Sequence, residues 1–251
     1  MREEDFFADI KLWCKHNPQR IVLPETHDKR VIGAANKIAS QGLAQVILVH
    51  KESDHVTPTP SNVTSIATSP SSAYIQSLMK IRRHKDMSRK EAHKRLSDPV
   101  WYAMMMVEQG DADGVVCGAT HSSKVTYSTA LKVVGSHDGH GLVSSCFFMF
   151  WQENLFLFAD AALNINPTAK QLGEIAKSTA VTAKHYGLHP RGALLSYSTN
   201  GSAEGEIASK VQEAMKYVDK DVFYGDIQFD AAFSPRVRDF KHAEVPFEDR
   251  A

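Results

Sequence analysis

Two stretches of the chain put small residues and hydroxyls where a strand gives way to a helix: Gly118-Ala-Thr-His-Ser-Ser123 and Ser198-Thr-Asn-Gly-Ser202. Such a loop aims free backbone N–H groups and the positive end of a helix dipole at one point, which suits an anion and phosphate above all. In the first, Thr120, His121, Ser122 and Ser123 would complete the cradle. In the second, Ser198, Thr199, Asn200, Gly201 and Ser202 would do so. The first equally fits a plainer role, in which one hydroxyl, Ser122, caps the helix that follows; the second has the same alternative, although five consecutive small polar residues exceed what a cap requires and lean towards binding. A third stretch, Arg82-Arg-His-Lys85, offers planar guanidinium forks to phosphate oxygens. A charged end that complements a helix dipole has the same composition.

Other chemistries find little support. The turn after the first predicted strand, Pro24-Glu-Thr-His-Asp28, has no glycine, so the dinucleotide-binding fingerprint is absent. His185 and His189 are four apart, but Gly187 and Pro190 interrupt the helix that a metal-binding pair needs, and no metal site is expected. Cys14, Cys117 and Cys146 are widely spaced without a disulfide or metal pattern, which places the chain in a reducing compartment. Cys117 and Cys146 lie in apolar runs and read as inert thiols.

The elements around these residues follow from periodicity. Arg20–Pro24 and Gln45–His50 read as apolar strands and Glu25–Ser40 as the helix between them, a βαβ unit that implies a parallel sheet. Residues 53–72, rich in Ser, Thr and Pro, read as a surface connection with one short strand at Val63–Ala67. Helices are predicted over Ala73–Lys85, from Ser88 through Leu96, and from the Asp98-Pro99 start signal to Gln109. Gly114–Cys117 reads as a buried strand, Ser122–Val134 as a helix, and Gly135–Gly141 as a hinge. Leu142–Trp151 and Asn154–Ala159 read as a hairpin. Ala169–Tyr186 is predicted helical, Arg191–Tyr197 a strand and Glu204–Lys220 a helix. After that only a short helix and a polar end are expected, with no strand to close the second half. The division is domain I at 1–138 and domain II at 139–251.

Lys plus Arg and Asp plus Glu number 29 each, so no global field recruits nucleic acid or an anionic membrane. The N-terminal stretch MREEDFFADIKLWCKHN is an acidic amphipathic helix with Phe6, Phe7, Ile10 and Trp13 on one side. It has the character of neither a signal nor a transit peptide. The longest apolar run, Leu142–Trp151, is too short to span a bilayer. A cytoplasmic α/β protein is the expectation.

Read in order, Arg20-Ile-Val-Leu-Pro-Glu25, Arg82–Lys85, Asp98-Pro99, Gly110-Asp-Ala-Asp-Gly114, Gly118–Ser122, Pro167-Thr-Ala169, Leu195-Ser-Tyr-Ser-Thr199, Gly201-Ser-Ala203 and Gln228-Phe-Asp-Ala-Ala232 resemble the phosphate acetyltransferase and butyryltransferase family along nearly the whole chain. The resemblance implies two α/β domains of the isocitrate and isopropylmalate dehydrogenase type with a cleft between them, and a homodimer. It implies exchange of acetyl-CoA and phosphate for acetyl phosphate and CoA. Coenzyme A would be a substrate, with no tightly bound cofactor, nucleotide or metal. In such enzymes an aspartate helps deprotonate the CoA thiol, while a serine and arginines hold the phosphate.

Two departures bear on activity. Arg82 matches the first of the family's substrate-binding arginines, but Ser128-Thr-Ala-Leu131 stands where the second lies in an Arg-Pro-Ala-Leu motif, and Lys124-Val125 replaces an acidic residue before it. The resemblance also implies that the catalytic Ser-Arg pair and aspartate lie beyond Ala251, so it assigns no catalytic residue here. An impaired homologue that binds CoA or phosphate, or serves in assembly, is the alternative expectation. Exposed apolar surface in the second half is a further one.

Overall fold

Glu3–His16 forms the opening helix, α1, of the computed structural model, which describes residues 1–54, 62–136, 142–241 and 243. Of its apolar residues only Phe6 is buried; Phe7, Leu12 and Trp13 are exposed, so the apolar stripe read from the sequence is narrower than expected. The predicted hinge residues 137–141, residues 55–61 of the Ser/Thr/Pro-rich connection, and the polar end 246–251 lie outside the described residues.

The chain divides into two units, residues 4–139 and residues 140–251, with residues 1–3 grouped with the second. In the first, Gln19–Leu23 (β1), Lys29–Ser40 (α2) and Ala44–His50 (β2) make the βαβ unit, with β1 and β2 parallel. The helix begins at Lys29 rather than Glu25. Asp28 takes the N-cap position and accepts the Arg30 amide, which frees Glu25 from the helix. Val63–Ala67 (β3) pairs with β2. Ser72–Ile81 (α3), Arg89–Leu96 (α4) and Pro99–Glu108 (α5) then precede the two-residue strand Gly114–Val115 (β4) and the helix Ser123–Val133 (α6).

The sheet order is β3-β2-β1-β4, with all pairs parallel. Strand alternation sends Val22, Ile47 and Val49 to one face against Ala103 and Met106 of α5. It sends Leu23, Val46 and Leu48 to the other, against Ala35 and Ala39 of α2. A further core joins α3, α4, α5 and α6 through Leu78, Leu96, Met105 and Val133. The predicted helix over Ala73–Lys85 stops at Ile81. Arg83–Lys85 forms a single 3-10 turn, ended by Asp86 in the left-handed region at φ 48°.

In the second unit Cys146–Trp151 (β5) and Asn154–Ala159 (β6) pair antiparallel as the expected hairpin. Ala169–His185 (α7) opens with a full capping box between Thr168 and Gln171. Gly192–Leu195 (β7) leads through a loop to Glu206–Ala214 (α8), shorter at both ends than predicted, with Met215–Tyr217 continuing as a 3-10 turn. Phe223–Ile227 (β8) then pairs parallel with β7, so a strand does follow where none was expected.

Gly225 hid that strand, because a glycine beside an aspartate reads as a turn. A Cβ there would stand 2.6 Å from the Leu194 carbonyl oxygen, so only glycine admits the close pairing. Phe229–Phe233 (α9) and Pro235–Phe240 (α10) complete the unit. Phe147, Met149, Trp151 and Phe158 of the hairpin are all exposed. A groove of about 1170 Å³ runs among β6, α7, β7 and α9. No helix among the described residues is long and apolar enough to cross a membrane.

Candidate functional site

Strands β1 and β4 run side by side with Val22 opposite Val115. Three residues further along each strand come Glu25 and Gly118. Pro24 ends the ladder of β1, and the chain turns so that the Glu25 carboxylate enters the loop after β4. There it accepts six hydrogen bonds. Gly118 N–H (2.8 Å) and Ala119 N–H (2.7 Å) donate to Oε2, and Thr120 N–H (2.8 Å), Thr120 Oγ1 (2.9 Å), His121 N–H (2.9 Å) and His121 Nδ1 (2.7 Å) donate to Oε1. Glu25 is 1% exposed.

The sequence left this loop open between a phosphate cradle and a helix cap, and the amides expected to be free are not. Their anion is a side chain of the same chain. Gly118 carries φ +113°, a conformation that the loop can adopt only with glycine, and this turns successive N–H groups to one point. Burial by itself pushes the Glu25 carboxyl upward. The donors of Thr120, His121 and Ala119 outweigh burial and hold it well below the usual carboxylate range.

An ionised carboxylate only accepts hydrogen bonds, so His121 Nδ1 carries a proton, and in the neutral imidazole it is Nε2 that keeps the lone pair. His121 lines a cavity of about 260 Å³ with Pro24, His27, Lys51, Asp54, Asp98 and Pro99. Its walls come from the carboxyl ends of β1, β2 and β4 and the start of α5, where open α/β sheets hold their ligands. Both aspartates are engaged: Asp98 accepts the amides of Val100 and Trp101, and Asp54 accepts the amide of Lys51.

Ser122 caps α6, its hydroxyl accepting the Val125 amide at 3.4 Å, while Ser122 and Ser123 both stay exposed. Arg82, the C-cap of α3, is half-buried, and its Nε is buried with no hydrogen-bond partner among the described residues. Ser128 lies on α6 one turn before Lys132, whose Nζ donates to its hydroxyl at 3.3 Å. Burial pushes the Cys117 thiol up, and Cys146 likewise, in keeping with inert cysteines.

The second loop closes on itself. Ser198 Oγ accepts the Ala203 amide, and Thr199 N–H donates to Ser202 Oγ. Thr199 Oγ1 accepts the Gln228 amide and donates to Gln228 Oε1, and Asn200 N–H donates to the Asp226 carbonyl. Ser198 and Thr199 are buried, and Asn200, Gly201 and Ser202 are exposed. Gly205, not Ser202, precedes α8, so the loop does not stand at the helix start as its sequence suggested.

Comparison with known proteins decides the family. The description phosphate acetyl/butaryl transferase matches residues 5–251. The chain belongs to that family. It is 33% identical over 257 residues to a phosphate acetyltransferase of Clostridium acetobutylicum, covering 94% of this chain and 77% of that protein. It is 34% identical over 245 residues to one of Helicobacter pylori, covering 92% of this chain and 47% of the relative, so it spans about half of that protein's length. A phosphotransacetylase structure from Streptococcus pyogenes matches with TM-score 0.89 and 30% identity, over 100% of this chain and 80% of that one.

Within this family member the residues that sequence reasoning passed over are Glu25 and Asp160. Asp160 fills a similar cradle in the second unit, accepting from Ser145 N–H and Oγ and from Asn164 N–H and Nδ2. The signal for Glu25 was available: two short apolar strands, each followed by a polar turn, bring those turns together once β1 and β4 pair in parallel. The predicted hairpin held the signal for Asp160, since a register that pairs Cys146 with Ala159 places Ser145 and Asp160 next along the two strands.

Proposed function

We propose that the chain is an acyl-CoA:phosphate acyltransferase, exchanging acetyl-CoA and phosphate for acetyl phosphate and CoA. The observation that carries this reading is the likeness to the S. pyogenes phosphotransacetylase along 100% of this chain at TM-score 0.89. The CoA thiol sulfur attacks the acyl carbonyl of acetyl phosphate, the S–C bond forms as the S–H bond breaks, and phosphate leaves with the C–O electron pair and takes up the thiol proton as monohydrogen phosphate. Negative charge grows on the carbonyl and phosphate oxygens, and oriented donors stabilise it.

Within residues 4–139, the proposal gives substrate contact to Arg82, whose buried Nε is a donor without a partner among the described residues, and to the exposed Ser122 and Ser123. Within residues 140–251 it gives contact to the exposed Asn200, Gly201 and Ser202. Thr120, Ser198 and Thr199 support these loops from inside, since their polar atoms serve internal bonds. No tightly bound cofactor is part of the reading, and a cytoplasmic homodimer is.

The test is CoA-dependent consumption of acetyl phosphate by the purified, folded chain, with light scattering for the dimer. Absence of turnover above background would sink the activity.

A further inference from the structure

We propose that Glu25 is a positioning residue for this chemistry, and that it presents His121 Nε2 to the cavity as the acceptor of an O–H or S–H proton of a bound substrate. The proposal rests on the acyltransferase reading above. Its class of ligand follows from the surroundings: His121 lines a cavity with the cation Lys51, with His27, and with the carboxylates of Asp54 and Asp98, both already held by backbone amides. Monohydrogen phosphate and the CoA thiol both offer a proton to such an atom and negative charge, present or developing, to such surroundings.

The tautomer of His121 decides which ring nitrogen can accept. A histidine on a flexible loop exchanges its proton between two nitrogens, and only one form shows a lone pair at Nε2. Here Nδ1 stands 2.7 Å from an ionised, fully enclosed carboxylate that accepts four backbone amides besides. Moving the proton to Nε2 would set two lone pairs against each other at that distance. The same amides fix the His121 backbone, so the ring is held in direction as well as in tautomer. Other charged groups near it are the cavity's Lys51, Asp54 and Asp98, together with Asp28 and Arg30, whose Nη2 donates to the Ala119 carbonyl. The carboxylates of Asp54 and Asp98 are held by backbone amides, and that of Asp28 by Arg30. None of these groups competes for Nδ1.

Two substitutions separate presentation from mere support of the loop. Asn places its amide nitrogen near the position of Nδ1, so His121→Asn keeps the bond to Glu25 and removes the acceptor. Gln reaches the position of Nε2 with an oxygen, so His121→Gln keeps an acceptor and loses the bond to Glu25. We expect His121→Asn to raise KM for one substrate, or lower kcat, by about tenfold, the range of a single lost hydrogen bond. His121→Gln, which keeps an acceptor without the direction that Glu25 gives it, should fall between His121→Asn and the unsubstituted protein. A change confined to KM for phosphate assigns the proton donor as phosphate, and one confined to KM for CoA assigns the thiol.

The reverse order, with Gln the poorer variant, makes His121 a loop support and overturns the proposal, as does unchanged kinetics in both. Nitrogen-15 NMR of the ring at alkaline pH, where imidazoles are neutral, reads the tautomer without turnover, and a protonated Nε2 would also overturn it. If the unsubstituted folded protein shows no turnover, the acyltransferase reading fails and takes the substrate assignment with it. A fault in this proposal alone leaves that turnover intact.

Discussion

The loops at 118–123 and 198–202 share one sequence grammar and have opposite interiors. The first is built around a charge from outside itself, the Glu25 carboxylate, which gathers its amides. Among the described residues the second has no such ion, and it spends its hydroxyls and amides on its own loop, on Gln228 and on the Asp226 carbonyl. Small polar residues after a strand thus report a loop whose backbone needs partners. They do not say whether a ligand, a distant carboxylate or the loop itself will provide them.

The comparison predicts unequal sensitivity, and the largest effect is at Glu25. Glu25→Ala leaves four amides, a hydroxyl and an imidazole N–H without their acceptor and should cost about 3–5 kcal/mol in urea denaturation, since several buried donors lose a charged acceptor at once. A loss below about 1 kcal/mol would show that water replaces the carboxylate and that the cradle is not structural.

The same contrast has a pH signature. The folded-state pKa of Glu25 is depressed, so its contribution is present above the unfolded value of about 4.3 and is lost as pH falls from there through the folded value. Asp160, held low against the opposing effect of burial by Ser145 and Asn164, adds loss of the same sign in its own unit. Stability measured from pH 6 downward should fall more steeply for the unsubstituted chain than for Glu25→Gln. Equal slopes would mean that the Glu25 carboxylate is not selectively stabilised by folding.

In the second loop the expected effects are smaller, because each bond joins neutral groups. Thr199→Val removes a hydroxyl that both accepts from and donates to Gln228 and should cost about 1–2 kcal/mol. Thermal unfolding of that variant gives the comparison directly. A loss as large as that of Glu25→Ala would erase the distinction between an ion-centred loop and a self-closed one.

How far the sequence revealed this arrangement depends on the range of the interaction. The βαβ unit, the hairpin and α7 were legible because a local period and a local cap define each. Strand β8 was not, because Gly225 is dictated by a neighbouring strand's carbonyl and carries no apolar signal of its own. The start of α2 was misread at Glu25 for a related reason. A glutamate after Leu-Pro is a sound first-turn residue in isolation, and only the pairing of β1 with β4 brings it opposite Gly118. The cradle's location was legible from Gly118 to Ser123, while its occupant is 93 residues away from Gly118 in the chain.

The smallest predicted effect bears on the question with which the two loops began, whether a hydroxyl there caps or binds. Ser122 accepts the Val125 amide at a long 3.4 Å and remains exposed, so Ser122→Ala should cost about 0.5–1 kcal/mol of stability, the lower part of the range for an N-cap. If capping is its whole role, kinetic constants measured well below the unfolding temperature stay unchanged. If it also holds phosphate, KM for phosphate rises several-fold while the stability loss stays the same, because the two bonds use different lone pairs of one oxygen. Ser123 serves as the internal control. It is exposed beside Ser122 and is not the cap, so Ser123→Ala should move KM, if anything, and leave stability within about 0.5 kcal/mol. A stability loss at Ser123 equal to that at Ser122 would show that the cap is shared between them and that the first loop, like the second, keeps its hydroxyls for itself.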